Sequence, residues 1–204
     1  MTTTTRGTDL ESVNVILSTI GESPLNSLSG SLPVDGTVAK NVLSEISREV
    51  QSAGWHFNTH YKSTLTRDTN NKIPVANDVM HIELNPLLEA KSSNDPVIRG
   101  SFLYNLAKET FIFDKDFENV QIVHLLDFEQ IPEQARRYIT IRASRIFHDR
   151  TLGANALHRF SRQDELVSLS ILKQSEASVA DHSIFNSYDQ YNTVTRNRSY
   201  KIID

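Results

Sequence analysis

The sequence predicts an α+β chain, an antiparallel bundle of about four helices with an inserted antiparallel β domain and an extended C-terminal arm. Apolar residues recur at three- and four-residue steps towards both ends of the chain and at two-residue steps between them, and residues 184–204 hold neither pattern. The expected organisation is residues 1–55 for the first half of the bundle, 56–131 for the β-rich insertion, 132–183 for the second half and 184–204 for the arm.

The first helix opens at Thr8, which with Glu11 forms a capping box, side chain and backbone satisfying each other's donors at the helix start. Leu10, Val13, Leu17 and Ile20 give one apolar stripe, and Gly21 can take the left-handed conformation that closes it. The second helix is expected from about Thr37 to Gly54, with Ala39, Leu43, Ile46, Val50 and Ala53 inward and Lys40, Glu45, Arg48 and Glu49 mostly off that side. Two such helices need a third surface to bury against. Pro132 starts it, because its missing donor is harmless at a helix's first position, and Glu133 favours the positive end of the dipole. Ala135, Ile139, Ala143, Ile146 and Phe147 form its buried stripe, and Gly153 marks its end. A fourth helix is expected over residues 155–179, with Phe160, Val167, Ile171 and Val179 on its apolar face.

Between the second and third helices the period shortens. Met80, Ile82 and Leu84 alternate in one run, Phe102, Tyr104 and Leu106 in a second, and Phe111 and Phe113 lead into Val120, Ile122 and His124. Turn-forming residues punctuate these runs at 68–71, 92–96 and 114–119.

Composition narrows the function. A hydrophobic content of 38% over 204 residues is low for a chain that buries everything within itself, so part of the stability is expected from partners. No stretch approaches the roughly 20 apolar residues of a membrane span, and the opening MTTTTRGTD lacks the apolar core of a secretion signal, so a soluble protein made in a cytoplasm is expected, with no membrane insertion. The absence of Cys excludes disulfides, thiolate chemistry and Cys-based zinc sites. A net charge of −4 gives no global drive towards nucleic acid.

Catalytic and metal constellations are weak. His56 and His60 sit in a segment read as extended, where their spacing separates them by about 13 Å. Asp114, Asp116 and Glu118 begin like a calcium loop, but Asn119 stands where Gly is needed and Leu125 where a bidentate Glu belongs. Asp127 and Glu129 could be imagined as a glycosidase pair, although nothing fixes their separation. Trp55, the sole Trp, reads as a core anchor at a helix-to-strand junction. No cofactor is expected.

Charge is uneven, however. Arg136, Arg137, Arg142, Arg145, Arg150, Arg159 and Arg162 crowd the third helix and the turn after it. Three readings stand: a solvated face with carboxylate partners such as Glu133, Asp149 and Asp164, a subunit interface using planar guanidinium groups, or a DNA-facing lumen. The arm carries Phe185, Tyr188, Tyr191 and Tyr200 in a polar background, the composition of a segment that folds on binding and uses aromatic anchors.

The phrases LESVNVILSTIGESPLNSL and VLSEISREVQSAGWHFN, and DFEQIPEQARRYITIRASRIFHDRTLG at residues 127–153, resemble one viral family. It is the tail tubular protein A, or head-to-tail adaptor, family of T7-like short-tailed bacteriophages. The likeness rests on a helix ending in IGE with a Pro two residues on, a helix of the form NxxxxIxRxxQSxGW, an aromatic strand opening with FN, and a Pro-started helix with an ASRxF core. It implies a non-enzymatic virion tail protein. The implied role is a dodecameric ring of identical subunits beneath the portal protein, joining it to the tail nozzle (tail tubular protein B), near the tail fibres, around a channel where genomic DNA makes transient non-specific contact. Under that implication Arg136, Arg137, Arg142, Arg145 and Arg150, with Phe185, Tyr188, Tyr191 and Tyr200, are the candidate subunit or portal contacts. A host-surface glycan hydrolase and a non-specific DNA-binding protein are the alternatives.

Overall fold

Helix α1 (Asp9–Ser18) begins in the expected capping box, with the Glu11 N–H donating to Thr8 Oγ1 at 3.2 Å and the Thr8 N–H to Glu11 Oε2 at 2.9 Å. The computed structural model describes residues 7–84, 93–153 and 155–179, and for 155–161 the backbone alone. Val13, Ile16 and Leu17 are the buried apolar face of α1, and Gly21 closes it at φ +80°. Helix α2 (Val34–Gln51) starts ahead of the expected Thr37, because Pro33 presets the entry and Asp35 favours the dipole's positive end. Ala53, expected inward, is exposed, since the helix has already ended. Helix α3 (Glu133–Thr151) and helix α4 (Asn155–Val179) complete the expected four.

Between α2 and α3 lie β1 (Thr59–Leu65), β2 (Val79–Glu83), β3 (Pro96–Arg99), β4 (Phe102–Asn105) and β5 (Phe117–His124). The first sheet has the order β1-β5-β2 with both pairings antiparallel, and β3-β4 is a separate antiparallel hairpin. The chain is therefore α+β as expected. Several local expectations change. Residues 56–58 form a 3-10 turn rather than extended chain, and the strand begins at Thr59. In β4 the buried side chains are Leu103 and Asn105, while Phe102 and Tyr104 are half-buried and Leu106 is exposed. The aromatic face is held from outside by cations, Lys72 over Phe102 and Arg99 over Tyr104 at 5.6 and 3.7 Å from the ring centres. Phe111 and Phe113 belong to no strand. Phe113 instead plugs the β core from a turn, edge-on to Phe117 at 5.6 Å.

Two apolar cores result. The helical one gathers Val13, Ile16, Ile46, Ile139, Phe147 and Leu172. The β core gathers Ile73, Leu103, Phe113, Phe117, Val120 and Ile122. The polypeptide crosses between them after α2 and again after β5, and both crossings are tied to the end of α2. Fully buried Gln51 donates to the Leu126 carbonyl and accepts from the Leu126 N–H. Asn58 donates to the carbonyls of Gln51 and His124 at 2.9 and 2.8 Å. Gly54 has φ +72°, and a Cβ there would lie 3.2 Å from Val123 Cγ2, so both backbone and space require glycine. Trp55 acts as the expected anchor, packing on the helical core and donating its indole N–H to the Val50 carbonyl at 2.7 Å.

Helix α4 is rotated relative to its expected face. Glu165, Ser168 and Leu172 point inward, whereas Val167, Ile171 and Val179 are exposed, and the Phe160 side chain lies outside the described residues. The cause is the partner surface: α3 offers arginines here, so α4 answers with a carboxylate.

Candidate assembly surfaces

The arginines of α3 diverge by position around the helix. Arg136, 3% exposed, donates through Nη1 to the Gly7 carbonyl at 2.6 Å, and Glu133 accepts from the Gly7 N–H at 3.1 Å. Arg136 and Glu133 thus hold the chain just ahead of α1 against the start of α3. Among the described residues the Nε and Nη2 of Arg136 have no hydrogen-bond partner, although Nε lies 3.7 Å from Glu133 Oε2 as an ion pair.

One turn and more further on, Arg142 and Arg145 face α4. Arg142 donates to Glu165 at 2.9 Å and to the Tyr138 hydroxyl at 3.2 Å, and it also pairs with Glu49 of α2. Burial opposes the charge on Arg142, but Tyr138, Glu49 and Glu165 outweigh it, so its pKa stands above the ordinary arginine value. Arg145 pairs with the other oxygen of Glu165 and with Asp149 at 3.1 Å. The hydrogen bond to Glu165 is the main cause of its raised pKa. Glu165 is 8% exposed and accepts from two guanidinium groups, which makes the α3–α4 seam an ion-pair cluster around a cavity of about 340 Å³. Arg150 forms a two-pronged pair with Glu45 of α2 at 2.8 and 2.9 Å.

Of the five candidate arginines, Arg136, Arg142, Arg145 and Arg150 are therefore engaged within the subunit. Arg137 is exposed and makes no ion pair among the described residues. Arg162 is exposed as well, and the side chain of Arg159 lies outside the described residues. Phe185, Tyr188, Tyr191 and Tyr200 also lie outside the described residues. Of the expected carboxylate partners, Asp149 pairs with Arg145 and Glu133 with Arg136 at 3.7 Å, whereas Asp164 makes no ion pair among the described residues. The pairing of Glu45, Glu49 and Glu165 with these arginines was not legible in the sequence because the carboxylates come from other helices.

The weaker constellations dissolve into local structure. His60 stacks obliquely on His124 at 4.6 Å, and His124 Nδ1 is 2.8 Å from Asp78. No group of three or more His, Asp or Glu side chains is gathered as metal ligands among the described residues. Asp116 accepts from Arg67 at 3.0 Å, and Asp114 pairs with Lys108. Asp127 and Glu129 sit on one 3-10 turn (Phe128–Gln130) beside Asp9, whose pKa is raised by burial and then by Glu129. Asp9 and Asp127 line a mixed-charge cleft of about 450 Å³ whose walls also carry Lys40, Arg48 and Asp78. No helix among the described residues is long and apolar enough to cross a membrane.

A family model described as "Tail tubular protein" matches residues 10–182, a span that takes in both halves of the bundle and the β insertion. Comparison with curated proteins found no match.

Proposed function

The chain belongs to the tail tubular protein family and is a structural component of a phage tail, and from that premise we propose that it is the head-to-tail adaptor. Identical subunits close head-to-tail into a dodecameric ring beneath the portal protein. The nozzle, built of tail tubular protein B, docks below, and the ring encloses the channel by which DNA leaves. Aromatic residues of the arm, Phe185, Tyr188, Tyr191 and Tyr200, reach the portal, and Arg137 lies at a subunit or portal contact.

The observation that carries this reading is the family match over residues 10–182. Electron microscopy of the purified chain with and without its portal tests the reading. A ring coaxial with the portal is expected, and a chain that stays monomeric and never decorates the portal would overturn it.

A further inference from the structure

The outward face of α4 is apolar and uncharged at its centre. Gln163, Leu166, Val167, Ser170, Ile171 and Gln174 are all exposed and none is charged. Leu166, Val167 and Ile171 are 59%, 53% and 45% exposed. The exposed side of α2, by contrast, carries Lys40, Glu45, Arg48 and Glu49. A solvated helix face is ordinarily charged, and depletion of charge around apolar side chains marks the centre of an interface. Among the described residues, helix α4 packs chiefly on α3 and on the turn His56–Asn58.

A second apolar edge lies on α1 and α2. Val15 of α1 and Val34 and Val38 of α2 are exposed, and neither helix is among the elements on which α4 chiefly packs. Flanking charges are of opposite sign on the two edges. Arg162 and Lys173 flank the α4 face, with Asp164 on its opposite flank, and Glu22 and Asp35 border the α1–α2 edge. None of Arg162, Lys173, Glu22 and Asp35 makes an ion pair among the described residues. Lys40, the cation near that edge, is turned to the Leu28 carbonyl at 3.4 Å.

We propose that the α4 face of one copy of this chain docks on the α1–α2 edge of the next. An isologous contact through either patch would leave the other exposed in every copy, whereas head-to-tail contact covers both and closes into a ring. This names the seam of the ring and rests on the adaptor reading above.

The chain contains no Cys, so introduced thiols report without background. Val38→Cys and Ile171→Cys are placed in the same full-length chain, and rings assembled with the portal are treated with a short bis-maleimide. A ladder of covalent multimers is expected from the double variant and not from either single variant. A dimer from Ile171→Cys alone would show an isologous contact and overturn the seam. Rings without a ladder would overturn the seam while leaving the adaptor reading intact, and failure to form any ring would overturn both. As an independent arm, Val167→Glu with Ile171→Glu should keep the circular dichroism spectrum and lower ring yield at least tenfold; normal yield would sink the seam.

Discussion

Gln51 and Leu126 exchange two hydrogen bonds, from Gln51 Nε2 to the Leu126 carbonyl at 3.0 Å and from the Leu126 N–H to Gln51 Oε1 at 2.8 Å. A side-chain amide here does the work of a neighbouring strand, pairing a backbone that has just left β5 and not yet entered α3. With Asn58 bonded to Gln51 and His124, the two crossings between bundle and insertion become one polar joint. Such a joint restrains how the insertion leaves the bundle, and the proposed ring of identical subunits would need that geometry repeated in each copy.

Replacing Gln51 by Leu keeps the volume but leaves both backbone groups of Leu126 unpaired in a partly buried place. The expected loss is about 2–4 kcal/mol. Urea unfolding checks the size, and amide exchange at Leu126 should accelerate more than the global loss explains. A cost within about 0.5 kcal/mol, the scale of an ordinary surface change, would remove the joint from this account.

Glu165 offers a test of sign as well as size. Truncation to Ala withdraws the shared carboxylate from Arg142 and Arg145 and should cost about 3 kcal/mol, the lower end for breaking a buried pair, because both arginines keep other partners. Replacing all three together, Arg142→Met, Arg145→Leu and Glu165→Leu, should recover most of that loss, since burying charge is itself costly. Thermal melts of the single and triple variants decide; a triple variant less stable than Glu165→Ala would show that the cluster stabilises beyond its desolvation.

Acid should destabilise the chain through several carboxylates at once. His124 beside Asp78 holds that carboxyl below its usual range, Arg150 does so for Glu45, Lys108 for Asp114, and the Arg67 backbone and side chain for Asp116. A lowered folded-state pKa gives stability that is present above the unfolded value, near 4, and is lost as pH falls through the folded value. Asp78→Asn should therefore lower the melting temperature at pH 7 and have little effect at pH values where Asp78 is already protonated. Asp9 has the opposite sign: burial, then Glu129, raises its pKa, so its contribution is present in acid and lost as pH rises through the folded value. Asp9→Asn should be neutral or stabilising at pH 7 relative to pH 3. Melting curves for both variants across this range test the two signs separately.

What was legible in the sequence was local. Thr8 and Glu11 are three residues apart and Gly21 ends its own helix, so their roles need no knowledge of the rest of the chain. The α+β order was legible because each period is set within a few turns or strands. The inward face of α4 was not, because the pattern of Phe160, Val167, Ile171 and Val179 presumed an apolar partner, and α3 presents Arg142 and Arg145 instead. Gln51 was equally hidden, since the backbone it serves is 75 residues away. The arginine cluster was visible, but its division into paired and unpaired members depends on Glu45, Glu49 and Glu165 from other helices.

The arm is expected to serve docking and not folding. Ordering its backbone costs about 1–2 kcal/mol per residue, and four aromatic anchors in a polar segment suit an external surface. A chain ending at Ser183 should keep nearly the same melting temperature and lose most of its affinity for the portal, with Tyr188→Ala and Tyr191→Ala giving partial losses. Unfolding on truncation would make the segment part of the subunit's own core, and unchanged portal binding would leave it without a docking role.

Arg137 and Arg145, eight positions apart on α3, should separate assembly from stability. Arg145 is bonded to Glu165 and Asp149, so Arg145→Glu sets three carboxylates against one another at a mostly buried seam and should cost about 3–5 kcal/mol. Arg137 is exposed and makes no ion pair among the described residues, so Arg137→Glu should leave the melting temperature nearly unchanged, as surface substitutions ordinarily do. Any defect it causes must then arise outside the subunit. Ring yield and portal docking for Arg137→Glu are expected to fall while circular dichroism and the urea midpoint stay at wild-type values. Normal assembly with slowed DNA release would place Arg137 at the channel, and normal assembly with normal release would return it to a solvated face with no part in the tail.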